Sequence, residues 1–180
     1  MNSPSANLSV WVGKKMICIR IVGRANFTSS VDFKTLINGL RDRGYSRFVL
    51  DLSDCLLMDS TFLGVLAGIG LNFSNARNGR HEPFVELLNP KPKICELLDN
   101  LGITPYFKAI HSERPIRECF DPLKSGDTSR MELTRECLRA HQTLMDIQPE
   151  NAPRFKDVTK FLAEDLKRLE GNNGTASSKD

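Results

Sequence analysis

No two cysteines in this chain stand at C-x-x-C spacing: Cys18, Cys55, Cys95, Cys119 and Cys137 are odd in number and far apart. Neither a zinc site nor a disulfide framework is indicated, and five free thiols suit a reducing cytoplasm. The longest apolar run, Phe62 to Leu71, is roughly half of the ~20 residues that a membrane helix needs. Met1 to Val10 has no basic region followed by an apolar one, so no secretory leader is expected there. An excess of one charge is missing too. Lys and Arg number 25 against 22 Asp and Glu, a net +3, and the longest basic feature is Lys91-Pro92-Lys93. That is too little for a nucleic-acid footprint.

Enzyme signatures are equally scarce. There is no G-x-S-x-G, no Walker A motif and no G-x-G-x-x-G. Gly64, Gly68 and Gly70 fall inside an expected helix and cannot cradle phosphate. His81, His111 and His141 are scattered and read as surface or linker residues, and Asp51, Asp54 and Asp59 as solvated loop acids rather than a magnesium site. No catalytic residue, metal or cofactor is expected. An enzyme built on Asp59-Ser60 would lack both a base and an oxyanion motif.

What is present is ordinary globular composition, 40% hydrophobic and 26% charged over 180 residues, enough for a real core. Leu8 to Val12, a turn at Gly13-Lys14-Lys15, and Met16 to Val22 read as a hairpin, with Ile17, Ile19 and Ile21 on one face and Cys18 and Arg20 on the other. Gly23-Arg24-Ala25-Asn26 should break the strand. Phe33, Leu36, Ile37 and Leu40 follow at helical spacing and Gly44 supplies a stop. Phe48 to Leu52 reads as a central strand buried on both faces. A loop over residues 53–59 and a helix from Ser60 to Arg77 come next, with Gly64 and Gly68 letting that helix lie close to the sheet. After a turn at Asn78-Gly79 come a strand over Pro83 to Leu88, a helix opened by Pro92 and closed at Gly102, and a short strand over Tyr106 to Ile110.

The order β-β-α-β-α-β-α-β implies an α/β domain, a mixed sheet with helices packed on it, over residues 8–112. Residues 113–128, with Pro115, Pro122 and Gly126, read as a linker. A C-terminal helical pair follows over 129–170. Its first helix opens with a capping box, Ser129 to Glu132, and carries the stripe Leu133, Cys137, Ala140, Leu144 and Ile147. Its second carries Phe155, Val158, Leu162, Leu166 and Leu169, and the short connection favours an antiparallel arrangement. The polar tail, 171–180, is expected to be disordered.

One polar cluster, Met58-Asp59-Ser60-Thr61, interrupts the apolar stretch from Leu56 to Leu71. Serine is among the best helix N-caps, and Asp59 would interact favourably with the helix dipole, so a capping role for Ser60 suffices on physical grounds. The stretch Phe48-Val49-Leu50-Asp51-Leu52-Ser53, followed by Met58-Asp59-Ser60-Thr61-Phe62-Leu63-Gly64, resembles the signature of STAS-domain proteins, which are the anti-sigma factor antagonists and the sulphate-transporter tails. The resemblance spans about Leu8 to His111. Two departures stand in it: Phe62 where the family usually has glycine, and Asn26 where a G-x-x-D loop ends in Asp.

The resemblance implies a STAS fold and a binding module rather than an enzyme. It implies phosphorylation of Ser60 by a serine-kinase anti-sigma factor, with Asp59, Thr61, Phe62 and Asn26 at the partner surface. The unphosphorylated protein would bind that kinase, and a PP2C-type phosphatase would reverse the switch. A non-switching adaptor in a stressosome-like or lipid-transport assembly is the alternative within the same fold. A serine at a helix N-terminus serves as cap and kinase target at once, and helix N-termini accept phosphate.

Overall fold

The computed structural model describes residues 5–14, 16–75, 85–114, 116 and 118–176. The expected Asn78-Gly79 turn, His81, Lys15 and residues 177–180 lie outside them, as do the last two residues of the helix expected to reach Arg77 and the first two of the strand expected from Pro83.

Strands β1 (Asn7–Val12) and β2 (Ile17–Ala25) form the antiparallel hairpin read from the sequence, closed by Gly13 N–H donating to Met16 O at 2.9 Å. Helix α1 (Phe27–Asp42) returns the chain to β3 (Phe48–Asp51), parallel to β2. Then come β4 (Cys55–Met58), α2 (Ser60–Asn75), β5 (Val85–Leu88), α3 (Pro92–Asn100), β6 (Phe107–Ile110) and β7 (Asp121–Pro122). The sheet order is β6-β5-β3-β2-β1-β7, and β4 pairs with the far half of β2. The chain ends in α4 (Arg130–Ile147) and α5 (Ala152–Ala176).

Period-2 alternation builds two layers. Ile17, Ile19 and Ile21 of β2, Phe48 and Leu50 of β3, and Val85 and Leu87 of β5 share the main core with α1, α2, α3 and α4. Their alternates Cys18, Val49 and Leu88 face the other way and are covered by Trp11, Ile110, Ile116 and Phe120. On that second face Arg20 and Asp51, register neighbours on β2 and β3, form an ion pair at 2.9 Å. Asp51 is only 5% exposed, so it is a buried, paired acid rather than the solvated loop acid expected. Arg20 also donates to Ile116 O at 3.1 Å and lies 4.0 Å over the Phe120 ring. A planar, permanently charged guanidinium suits all three contacts.

Helix ends follow the residues that specify them. Gly44 (φ 92°) and Gly102 (φ 71°) adopt left-handed backbone after α1 and α3. They let Tyr45 N–H reach Leu40 O and Ile103 N–H reach Leu98 O. The Ser129–Glu132 capping box opens α4.

Four expectations are corrected. β2 runs through Gly23 to Ala25, because positive φ at Gly23 (93°) and a register shift let it continue onto β4. Cys55–Met58, expected as loop, is that strand. The expected linker contributes β7, which pairs antiparallel with β1, and Leu123 N–H donates to Leu8 O. α5 extends to Ala176, six residues into the stretch expected to be disordered.

The C-terminal helices pack on the core. Ala140 and Leu144 of α4 are buried in it, and Lys34 of α1 pairs with Glu136 at 2.7 Å. Asn151, 1% exposed between α4 and α5, donates to Leu101 O at 3.1 Å and Leu144 O at 2.9 Å, tying the turn to the end of α3. Gly64 and Gly68 face Ala140 and Thr143 of α4 rather than the sheet.

Candidate functional site

The N-termini of α1 and α2 lie side by side, and one carboxylate holds both. Asp59 accepts from Phe62 N–H through Oδ1 and from Phe27 N–H through Oδ2, each at 2.8 Å. Leu63 N–H donates to Asp59 O, the first bond of α2, while Asp59 N–H donates to Ala25 O at the end of β2. Asp59 is therefore the N-cap, and Ser60 is the first helical residue rather than the cap expected of it. A carboxylate is favoured here because two positive helix ends converge on it.

Asn26 caps α1. Its Oδ1 accepts from Thr28 N–H, Ser29 N–H and Ser5 Oγ–H, and Asn26 N–H donates in return to Ser29 Oγ. An amide oxygen does here what an aspartate would, without adding a second negative charge beside Asp59. The exchange in the G-x-x-D pattern is thus satisfied locally.

Ser60 is half-buried, and what covers it is His141 of α4. Its Oγ lies 2.9 Å from His141 Nε2, and His141 Nδ1 lies 2.7 Å from Cys137 O. A carbonyl only accepts, so Nδ1 carries a hydrogen, and in the neutral ring Nε2 is the acceptor for Ser60 Oγ–H; the tautomer follows from this network. His141 is 5% exposed and its ring lies 5.0 Å from that of Phe155. The expectation of a surface or linker histidine is corrected. One signal pointed to it: His141 lies four residues after Cys137 and three before Leu144, on the apolar stripe, where a polar group needs a partner.

Thr61 and Phe62 do not form a surface. Thr61 is buried, with Oγ1 donating to Cys137 Sγ at 3.7 Å. Phe62 is fully buried and stacked on Phe33, ring centroids 4.9 Å apart. In this arrangement a partner cannot touch Phe62, which corrects its expected place at the partner surface. Phe27, which follows Asn26, and Leu56, just ahead of Asp59, are exposed apolar residues that the sequence reading did not single out.

Ser60, His141 and the Cys137 carbonyl are spaced as a nucleophile, a base and an orienting group would be. Catalysis also needs room for a substrate. A cavity of about 390 Å³ lies between α1, α2 and α4, lined by Lys34, Arg41, Gly64, Gly68, Glu136 and Arg139 among others. A second, of about 250 Å³, lies at the carboxyl ends of β3 and β5 beside Arg20, Asn89 and Arg114. Neither is lined by Ser60 or His141. Among the described residues no three His, Cys, Asp or Glu side chains are placed to hold a metal ion, and no helix is long and apolar enough to cross a membrane.

No family model matches the sequence, and no curated protein matches it. Solved structures do resemble it. A crystal structure of a candidate anti-sigma factor antagonist from Thermotoga maritima matches with a TM-score of 0.50 and 21% identity, covering 58% of this chain and 86% of that one. The unphosphorylated form of the anti-sigma factor antagonist SpoIIAA matches with a TM-score of 0.46 and 18% identity, covering 61% and 90%. The phosphorylated form of SpoIIAA, described as a Bacillus cell fate determinant, matches with 0.46 and 21%, covering 60% and 93%. At these identities the likeness is one of fold: the chain has the STAS fold of the anti-sigma factor antagonists.

Proposed function

We propose that the chain is an anti-sigma factor antagonist that binds a serine-kinase anti-sigma factor in the cytoplasm and is switched off by phosphate on Ser60. The observation that carries this reading is the position of Ser60. It is the first residue of α2, directly after the Asp59 cap and beside the N-terminus of α1. Its Oγ would attack the γ-phosphorus of ATP; the bond to ADP breaks and the hydroxyl proton leaves to a base. The product's charge of about −1.5 to −2 sits where helix ends tolerate it but where a docked partner would have to desolvate it.

Incubation with ATP and the source organism's serine-kinase anti-sigma factor, followed by mass spectrometry, should place the phosphate on Ser60. Ser60→Ala should remain unmodified and bind. Ser60→Glu should lose binding by roughly thirty-fold or more while still folded, the cost of a buried mispaired charge being ~2–5 kcal/mol. Phosphate only at Thr61 or elsewhere overturns the assignment. A PP2C-type phosphatase would remove the phosphate.

A second reading draws support from the hydrogen bond to His141, which occupies the Ser60 hydroxyl. It is a non-switching adaptor, in which Ser60 fastens α4 and is never phosphorylated. The same kinase assay separates the two.

A further inference from the structure

The face of α2 that carries Ser60 is covered by the chain's own α4. Three successive contacts run along the two helices: Ser60 and Thr61 with His141 and Cys137, Gly64 with Ala140, and Gly68 with Thr143. The middle one is backbone against backbone. A Cβ on Gly64 would lie 2.6 Å from the Ala140 carbonyl carbon and 2.8 Å from its Cα, closer than real atoms approach. A phosphate on Ser60 would have to fit beside this contact, next to the Asp59 carboxylate, in the space that His141 fills. Close-packed interfaces do not stretch to admit such a group; they separate.

The two ends of α4 are held differently. Towards its C-terminus Leu144 is buried in the core and Asn151 bridges to α3. Towards its N-terminus the ties are polar: Lys34 to Glu136, Thr61 to Cys137, and Gly126 N–H to Asp32 Oδ1 at 3.2 Å in the approach. A partly exposed polar tie such as Lys34 to Glu136 is cheaper to exchange for water than a buried apolar contact.

We propose that α4 is a latch on Ser60: docked on α2, it withholds the hydroxyl from a kinase, and it must come away from α2 as far as His141, opening first at its N-terminal end, before Ser60 is phosphorylated. This rests on Ser60 being the phosphoacceptor. Phosphate, once present, keeps the latch open. The latch is a segment of this chain, so the switch carries its own competitor for the α2 face.

The test uses the full chain with Cys119→Ser, which removes the exposed thiol. Thr61→Cys places a second thiol beside Cys137, and oxidation then clamps α4 to α2. With the source organism's serine-kinase anti-sigma factor and ATP, phosphorylation of Ser60 should be roughly tenfold slower in the oxidised than in the reduced form of the same protein. His141→Ala should raise the rate ~5-fold, the worth of one hydrogen bond of ~1 kcal/mol. Equal rates in the two redox forms overturn the latch, and so does a slower His141→Ala, which would make His141 a base. Absence of phosphate on Ser60 in every form removes the phosphoacceptor reading instead. The latch is then judged by a kinase-independent arm, in which phosphoserine is incorporated at position 60 during synthesis. Amides of residues 130–140 should exchange roughly tenfold faster than in the unmodified protein. If they exchange at the same rate, the latch is wrong.

Discussion

Gly64 and Ala140 meet through their backbones, with no side chain of Gly64 between them. Only glycine permits this. One turn later the helices have parted enough that a Cβ on Gly68 would meet Thr143 Cγ2 at an ordinary 3.8 Å. Gly64→Ala is therefore expected to destabilise the protein by about 1–3 kcal/mol through overpacking. Gly68→Ala is expected to be neutral or stabilising by up to about 1 kcal/mol, as helix propensity favours alanine. Denaturant midpoints of the two variants check the contrast.

Asp59 holds two helix ends with its two carboxylate oxygens. Asp59→Ala should cost more than an ordinary cap, about 2 kcal/mol. Asp59→Asn should recover part of it, because one amide oxygen still accepts from Phe62 N–H while the amide nitrogen faces the donor Phe27 N–H. Thermal melts of the three proteins give the order wild type, Asn, Ala.

Arg20 ties the second face of the sheet together. Arg20→Met removes the charge that pairs with Asp51, the donor to Ile116 O and the cation over Phe120. Leaving Asp51 unpaired while buried is expected to cost about 2–3 kcal/mol, at the low end for a buried pair because Arg20 is partly exposed. Amides of residues 118–121, which reach into β7, should exchange faster while those of β5 do not. Arg20→Lys should rescue little, since an ammonium lacks the fork and the planar face.

Burial pushes the Cys18 thiol up to about 12 and the Cys55 thiol up to about 11. Desolvation is the main cause for both, and the Asp51 charge adds to it at Cys18. In the unfolded chain each ionises near its ordinary value of 9.0. The folded state then holds the more protons, so stability is complete below pH 9. It falls as pH rises, through about 11 for Cys55 and about 12 for Cys18, by up to about 1.4 kcal/mol per pH unit for each thiol. Denaturation midpoints at pH 8, 9 and 10 should show the decline, shallower in Cys55→Ala. Iodoacetamide at pH 8 should modify Cys119 in the native protein and spare Cys18 and Cys55.

Much of the fold was legible because local rules and tertiary context agreed. The Ile17-Ile19-Ile21 alternation, the stop at Gly44, Pro92 at the start of α3 and the Ser129–Glu132 box are each decided within a few residues. β4 was missed because Cys55–Met58 shows no alternation of its own and becomes a strand by joining β2 beyond the kink at Gly23. β7 is two residues long and contains a proline, so only pairing with β1 makes it a strand. At the candidate site the Asp-Ser-Thr cluster stood out as polar residues in an apolar stretch. Which residue capped depended on Phe27, 32 positions away from Asp59, and the partner of Ser60 lay on another helix. Spacing cannot report such neighbours.

Ser60 and His141 are separated by 81 residues, and that distance also sets an order of events on the ribosome. At ~5–20 residues per second, α2 emerges roughly 4–16 seconds before the helix that covers it. During that interval the nascent chain has Gly64, Gly68 and the Ser60 hydroxyl uncovered, and any protein that recognises the open face meets it first. A partner already present during synthesis would therefore compete with a helix not yet made, whereas one arriving later must displace a helix already in place. The order of arrival, as well as affinity, then decides which of them occupies α2.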